Sequence, residues 1–187
     1  MAAIAVAGVG LMVVCSSSLA AVMMMGGEEE TPTPPAGPSA PVIKKYRYVR
    51  VGRTNPDNGD HWMNLAEVEV FSGGVNVASG KTVTASSLYA AQFPHASLVD
   101  ENKGNFSHTN NAATEYFDID LGQAYEIEKV VITNRVDCCQ DRARNTIIQL
   151  SESPDMTSSK DSRAITTAEA SSATFTWDVA SDTLTAA

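Results

Sequence analysis

The stretch EYFDIDLGQAYEIEKVVITNR, residues 115 to 135, decides the fold class. On both sides of its LGQ turn, β-branched and aromatic side chains recur at a period near two, the spacing of a strand with one buried face. The same texture extends outward through YRYVRV, LAEVEVF and KTVTASS on one side and NTIIQL and TFTWDV on the other. Turn-forming clusters such as NPDNGD, SGG and ENKGN separate these runs. No segment after Tyr46 carries an amphipathic helical period. The pattern predicts an all-β chain, an antiparallel β-sandwich or jelly roll whose binding loops gather at one end.

Bulk properties narrow what such a sandwich does. At 187 residues, 43% hydrophobic and 19% charged, the chain has material for one core plus appendages. The formal net charge is −9, with 22 acidic against 13 basic side chains. Nucleic acid, which needs a clustered basic surface, is therefore not an expected partner. Residues 1–27 contain no charged side chain and are long enough to span a bilayer core, so they read as a transmembrane anchor, with an uncleaved or cleaved signal as the alternative. Residues 28–45 are acidic and Pro-rich, the composition of a flexible linker. The sandwich is expected over 46–180, leaving 181–187 as a tail.

Three polar groups stand out in this setting. His108 lies in NFSHT, while Arg135 and Arg142 flank the adjacent Cys138 and Cys139 in NRVDCCQDR. Twenty-six residues separate His108 from Arg135, and Arg135-x-Asp137 is followed by four residues and then Arg142. Permanently charged guanidinium groups donate to hydroxyl and ring oxygens, an imidazole donates or accepts, and Asp137 can orient a guanidinium. This donor set suits a sugar. Arg53 and Arg144 lie outside the spacing. From the residues alone, the cysteine pair is either two thiols at a strand end or an oxidised pair. An oxidised adjacent pair closes no long loop, which would favour a site role over a stability role.

The spacing of His108, Arg135, Asp137 and Arg142, with DCC inside it, resembles the signature of the F-type lectins, the fucose-binding family of the discoidin-like jelly-roll fold. NVASGKTVTASS is similar to that family's opening strand, LVDEN to its Asp-Gly-Asn loop, and YFDIDLG to its central strand. The resemblance implies an L-fucose-type sugar held, without being transformed, by His108, Arg135, Asp137 and Arg142. It also implies an oxidised Cys138–Cys139 pair as a packing surface. An apolar pocket is implied in SLYAAQFPHASLVD, where Phe93 is the preferred wall, beside Tyr89 and His95. A structural calcium ion is implied too, on Asp100, Asn102, Asn105, Glu67 and the Ala66 carbonyl. Two departures stand out. Glu101 replaces the family's glycine, and YVRV with LAEVEVF resembles the closing hairpin yet precedes NVASGKTV. The domain thus reads as circularly permuted, or as cut from a tandem array in shifted register, with residues 46–71 expected to pair near TFTWDV.

Taken together, these features read as a membrane-anchored lectin facing an oxidising or extracellular compartment and binding fucosylated glycans. They are similar to anchored lectin-like chains of large DNA viruses of algae, so a virion membrane or capsid is a second setting, with virion capsid proteins or further copies of the chain as partners. The competing readings are a structural coat, minor capsid or envelope protein that keeps the fold without binding sugar, and a discoidin-type adhesion module for protein or lipid headgroups. An enzyme is not expected, because the serines lack a base in a recognisable motif and the carboxylates are scattered.

Overall fold

A computed structural model describes residues 43–54 and 59–187. Among the described residues there are eleven strands: β1 (Tyr46–Thr54), β2 (Asn64–Ser72), β3 (Val75–Asn76), β4 (Thr82–Ala85), β5 (Ser107–His108), β6 (Thr114–Tyr125), β7 (Lys129–Asn134), β8 (Ile147–Ser151), β9 (Ser159–Ala164), β10 (Thr174–Asp178) and β11 (Thr183–Ala186). Two short 3₁₀ helices, His95–Leu98 and Gln140–Ala143, sit in the loops, and no α-helix occurs among these residues.

One sheet runs β4-β6-β1-β8-β9 and the other β11-β10-β7-β2-β3, with β5 added beside β2. Neighbouring strands are antiparallel in both sheets. The alternation in EYFDIDL becomes an inward row of Glu115, Phe117, Ile119 and Leu121, all fully buried. Phe117, Ile119 and Leu121 share one core with Val49 and Val51 of β1, Leu150 of β8, Val68 and Val70 of β2, Ile132 of β7, and Phe175 and Trp177 of β10. The result is the antiparallel sandwich that the period-two pattern predicts.

A bulge places a carboxylate that matters for the site. In the β2–β7 ladder Leu65 pairs with Asn134 and Glu67 with Thr133, so Ala66 is the extra residue. The bulge changes parity, which lets Leu65 and Val68 both reach the core and leaves Glu67 and Glu69 on the other face. The loop after Asp100 covers that face: Lys103 pairs with Glu69 at 2.8 Å, and the Glu101 N–H donates to Glu67 Oε1 at 3.2 Å.

Three expectations are corrected. YVRV and LAEVEVF do not form a hairpin, since β1 and β2 lie in opposite sheets. Of the two, only β2 shares a sheet with the TFTWDV strand β10, and β7 stands between them. The expected tail at 181–187 holds a strand, β11, because its backbone pairs with the exposed edge of β10 from Phe175 to Asp178. The expected anchor at 1–27 lies outside the described residues. Among those described, no helix is long and apolar enough to cross a membrane.

Candidate functional site

The start of β2, the two-residue β5, the end of β7 and the β7–β8 connection meet at one end of the sandwich. β5 reaches it by pairing Ser107 with Leu65 and His108 with Asn64. The next residue locks the pairing: the Thr109 N–H donates to the Met63 carbonyl, and the Met63 N–H to Thr109 Oγ1, both at 3.0 Å. After β7, buried Asn134 donates through Nδ2 to the Gln140 carbonyl at 2.9 Å and so closes the turn that carries Arg135 to Cys139. Cys139 sits in the left-handed region at φ 63°, and its carbonyl accepts from the Arg142 N–H at 3.1 Å. Tyr89 is brought in by its own N–H, which donates to the His108 carbonyl at 2.9 Å.

Trp62, Tyr89, His108 and Arg142 line a depression of about 180 Å³. His108 Nδ1 lies 2.6 Å from the Thr109 carbonyl. A carbonyl only accepts, so Nδ1 carries the proton and the neutral ring presents Nε2 as an acceptor. Burial, followed by the charges of Arg135 and Arg142, lowers the His108 pKa and favours that neutral form. Arg142 donates from Nε to Asp60 Oδ2 at 2.9 Å. The site thus sets a hydrogen-bond acceptor beside a fixed cationic donor.

Arg135 occupies the neighbouring position. Its Nε and Nη2 form a two-pronged pair with Asp137 at 2.7 and 2.6 Å, and its guanidinium lies 3.9 Å from the centre of the Phe106 ring. The Arg135 hydrogen bond holds the Asp137 carboxyl down at about 2, so it stays ionised at any physiological pH. Arg135 and Asp137 line a second depression of about 140 Å³ with Phe106, Asn105 and Lys103. Cys138 and Cys139 are joined by a disulfide, with Cα atoms 3.8 Å apart and Cys138 exposed. The motif residues therefore cluster but divide between two depressions, His108 and Arg142 in one and Arg135 and Asp137 in the other. Phe93 is half-buried behind them, stacked between Tyr89 and Phe106 at 6.1 and 4.7 Å, and lines neither depression.

Two residues of the site fall outside the spacing. Arg53 is 2% exposed, and it donates to the backbone carbonyls of Trp62 and, at 2.6 Å, of Arg142. Burial brings its pKa down to about 10, which leaves it charged at neutral pH. Trp62 packs edge-on against Tyr89 and His108, with centroids 5.1 and 5.3 Å apart. The one sequence signal for Arg53 is a cation inside an otherwise strand-like run that ends in GRT. Trp62 gives none, because a tryptophan before a strand is an ordinary core candidate.

The loop that carries Asp100, Asn102 and Asn105 lies over Glu67 and Glu69 beside the bulge. Asp100 Oδ2 accepts from Asn105 Nδ2 at 2.8 Å, and Asn102 Oδ1 accepts from the Gly104 N–H at 3.0 Å. Glu67 is fully buried beneath this loop, and its Oε2 and the Asn105 Oδ1 are buried without hydrogen-bond partners. Orphaned hard oxygens in an acidic loop fit a calcium ion. Among the described residues no group of three or more His, Cys, Asp or Glu is arranged to hold a metal, so the set depends on amide and carbonyl oxygens. Glu101 adopts φ 64°, the left-handed conformation for which glycine is suited.

Comparison with known proteins agrees with this architecture. The family model of the NedA-like, galactose-binding domain matches residues 97–185, which include His108, Arg135, Arg142 and the disulfide but not Arg53 or Trp62. Fucolectin-6 of Anguilla japonica is 39% identical over 77 residues, covering 36% of this chain and 41% of the relative. Fucolectin of Anguilla anguilla is 32% identical over 87 residues, covering 41% and 55%. Fucolectin-5 of Anguilla japonica is 41% identical over 54 residues, covering 29% of each. The chain thus spans 29% to 55% of the length of these relatives. No solved structure matches it significantly. By its sandwich of antiparallel strands, the convergence of loops at one end and these matches, the chain carries a domain of the discoidin-like, F-type lectin fold.

Proposed function

We propose that the domain is a carbohydrate-binding module for a terminal L-fucose-type sugar, presented from a membrane by residues 1–27. The observation that carries this reading is the shared depression of His108 and Arg142, where the Thr109 carbonyl fixes the imidazole as an acceptor beside a cationic donor. In the proposal His108 Nε2 accepts from a sugar hydroxyl while Arg142 and Arg135 donate to sugar oxygens. Asp137 holds Arg135 in place, and the Cys138–Cys139 disulfide offers a rigid face for sugar carbons. The fucolectin names of the matched relatives support the sugar class.

Calcium is the second part of the proposal. Glu67, Asn105, Asp100, Asn102 and the Ala66 carbonyl would hold the ion. When bound, it would supply the positive charge that the buried Glu67 carboxylate lacks.

Titration of a fucosylated glycan by calorimetry tests the sugar reading. Arg142→Ala and Arg135→Ala are each expected to lose about tenfold to a hundredfold in affinity, the value of a charge-assisted hydrogen bond. Arg144→Ala is expected to match the wild type, because Arg144 pairs with the exposed Asp141 at 2.9 Å and lines neither depression. Absence of binding by the folded wild type, or equal affinity across these variants, would favour the coat-protein reading instead.

The histidine gives a separate pH signature. Its pKa is lowered, so the acceptor form persists below the ordinary histidine value of about 6.5. Sugar affinity is therefore expected to stay level from pH 8 to 6.5 and to fall only in more acid solution, as Nε2 takes a proton. A loss of affinity already complete at pH 6.5 would contradict an acceptor role for His108.

A further inference from the structure

Half of the lining of the His108 depression comes from two aromatic side chains, Trp62 and Tyr89. Trp62 is only half-buried, although an indole contributes most when fully covered. Its backbone is fixed by side chains through both its N–H and its carbonyl. The Trp62 N–H donates to Asp60 Oδ1 at 3.3 Å, and the other oxygen of that carboxylate accepts from Arg142 Nε at 2.9 Å. On the opposite side, buried Arg53 bridges the Trp62 and Arg142 carbonyls. Asp60 and Arg53 each therefore connect the tryptophan to the arginine. The Arg142 guanidinium lies 5.9 Å from the Trp62 ring, and the ring stands at 76° to the His108 imidazole.

A polar acceptor and donor beside a flat, partly open indole match a ligand with hydroxyls on one edge and a C–H face on another. Phe93 does not line this depression, so it cannot provide that face there. We propose that Trp62, supplied by the β1–β2 connection, is the apolar wall of the sugar site, contacting the ligand directly and held in register with Arg142 by Arg53 and Asp60. This inference rests on the carbohydrate reading and adds to it the surface on which the sugar stacks.

The chain contains two tryptophans, and the second, Trp177, is 1% exposed with its Nε1 donating to Asp182 at 3.1 Å. A change in tryptophan emission on adding sugar therefore reports Trp62. L-Fucose is titrated into the full chain, read in parallel by calorimetry and by emission, for the wild type, Trp62→Phe and Trp62→Ala. The wild type is expected to show an emission change with the calorimetric midpoint. Trp62→Phe is expected to lose that change while keeping affinity within about threefold, and Trp62→Ala to bind about tenfold more weakly. Should Trp62→Ala not fold, the emission change in the wild type and its loss in Trp62→Phe decide the matter. Calorimetric binding with no emission change, or with undiminished affinity in folded Trp62→Ala, would remove Trp62 from the site and leave the sugar reading standing. No binding heat in the wild type would overturn both.

Discussion

A chain beginning at Val75 is expected to remain unfolded. β1 is the middle strand of its sheet, paired on one side with β6 from Tyr46 to Thr54 and on the other with β8 from Tyr48 to Gly52. Its loss would leave two inner strands without their shared neighbour. β2 is likewise paired with β7, β3 and β5, so the His108 strand would lose its anchor as well. Tyr46, Val49, Val51, Met63, Leu65, Val68 and Val70 all belong to the core. At about 1.5 to 3 kcal/mol for each large apolar side chain buried, their removal forfeits roughly 10 to 20 kcal/mol. That is as large as, or larger than, the net stability of a typical domain, about 5 to 15 kcal/mol. The test is denaturant unfolding of the truncated chain, followed by circular dichroism. A cooperative transition would show that residues 75 to 187 form a complete domain, and would overturn the permuted order read from YVRV and LAEVEVF.

The same strands mark what the sequence could and could not convey. EYFDIDL is legible because it buries one face, so its alternation is a direct record of packing, whereas LAEVEVF keeps that alternation only from Val68 to Val70 and is buried on both faces before it. β9, SKDSRA, carries no apolar alternation and is a strand only because it pairs with β8 at the edge of the sheet. β11 is hidden for the same reason, being an edge strand on β10. The partition of β1 and β2 between two sheets is a long-range property, which periodicity within either run does not encode. At the site, His108, Arg135 and Arg142 were legible through fixed spacing, while Trp62 and Arg53 were not. Those two come from the β1–β2 segment and meet the arginine turn only through the fold, Arg53 reaching Arg142 across 89 positions. Arg53 therefore cannot serve as a neutral control, although it stands outside the motif.

Calcium is expected to abolish the loss of stability that Glu67 imposes between pH 5 and 8. Burial, above all, pushes the Glu67 carboxyl up from 4.5 to about 7, with the charges of Asp100 and Glu69 adding to the rise and Lys103 opposing it. In the metal-free protein the folded state thus holds this proton more tightly than the unfolded chain. The resulting stability is fully present below about pH 4.5 and is lost as pH rises through 7. The loss is on the order of 3 kcal/mol, at about 1.4 kcal/mol per tenfold change in proton affinity. It corresponds to a fall of roughly 10 °C in melting temperature for a domain of this size. His108 acts in the opposite sense just below pH 6.5, because its pKa is lowered. Glu67→Gln separates the two, since it removes only the carboxyl contribution. A bound calcium ion would hold Glu67 in its charged form, so in millimolar calcium the decline towards pH 8 is expected to vanish, and the gain over chelator to be largest at pH 8. Glu67→Gln is expected to melt at one temperature with and without the ion. Identical wild-type melting curves in calcium and in excess chelator at pH 8 would exclude calcium. The orphaned oxygens of Glu67 and Asn105 would then be a polar core held at a cost in stability, not a vacant coordination shell.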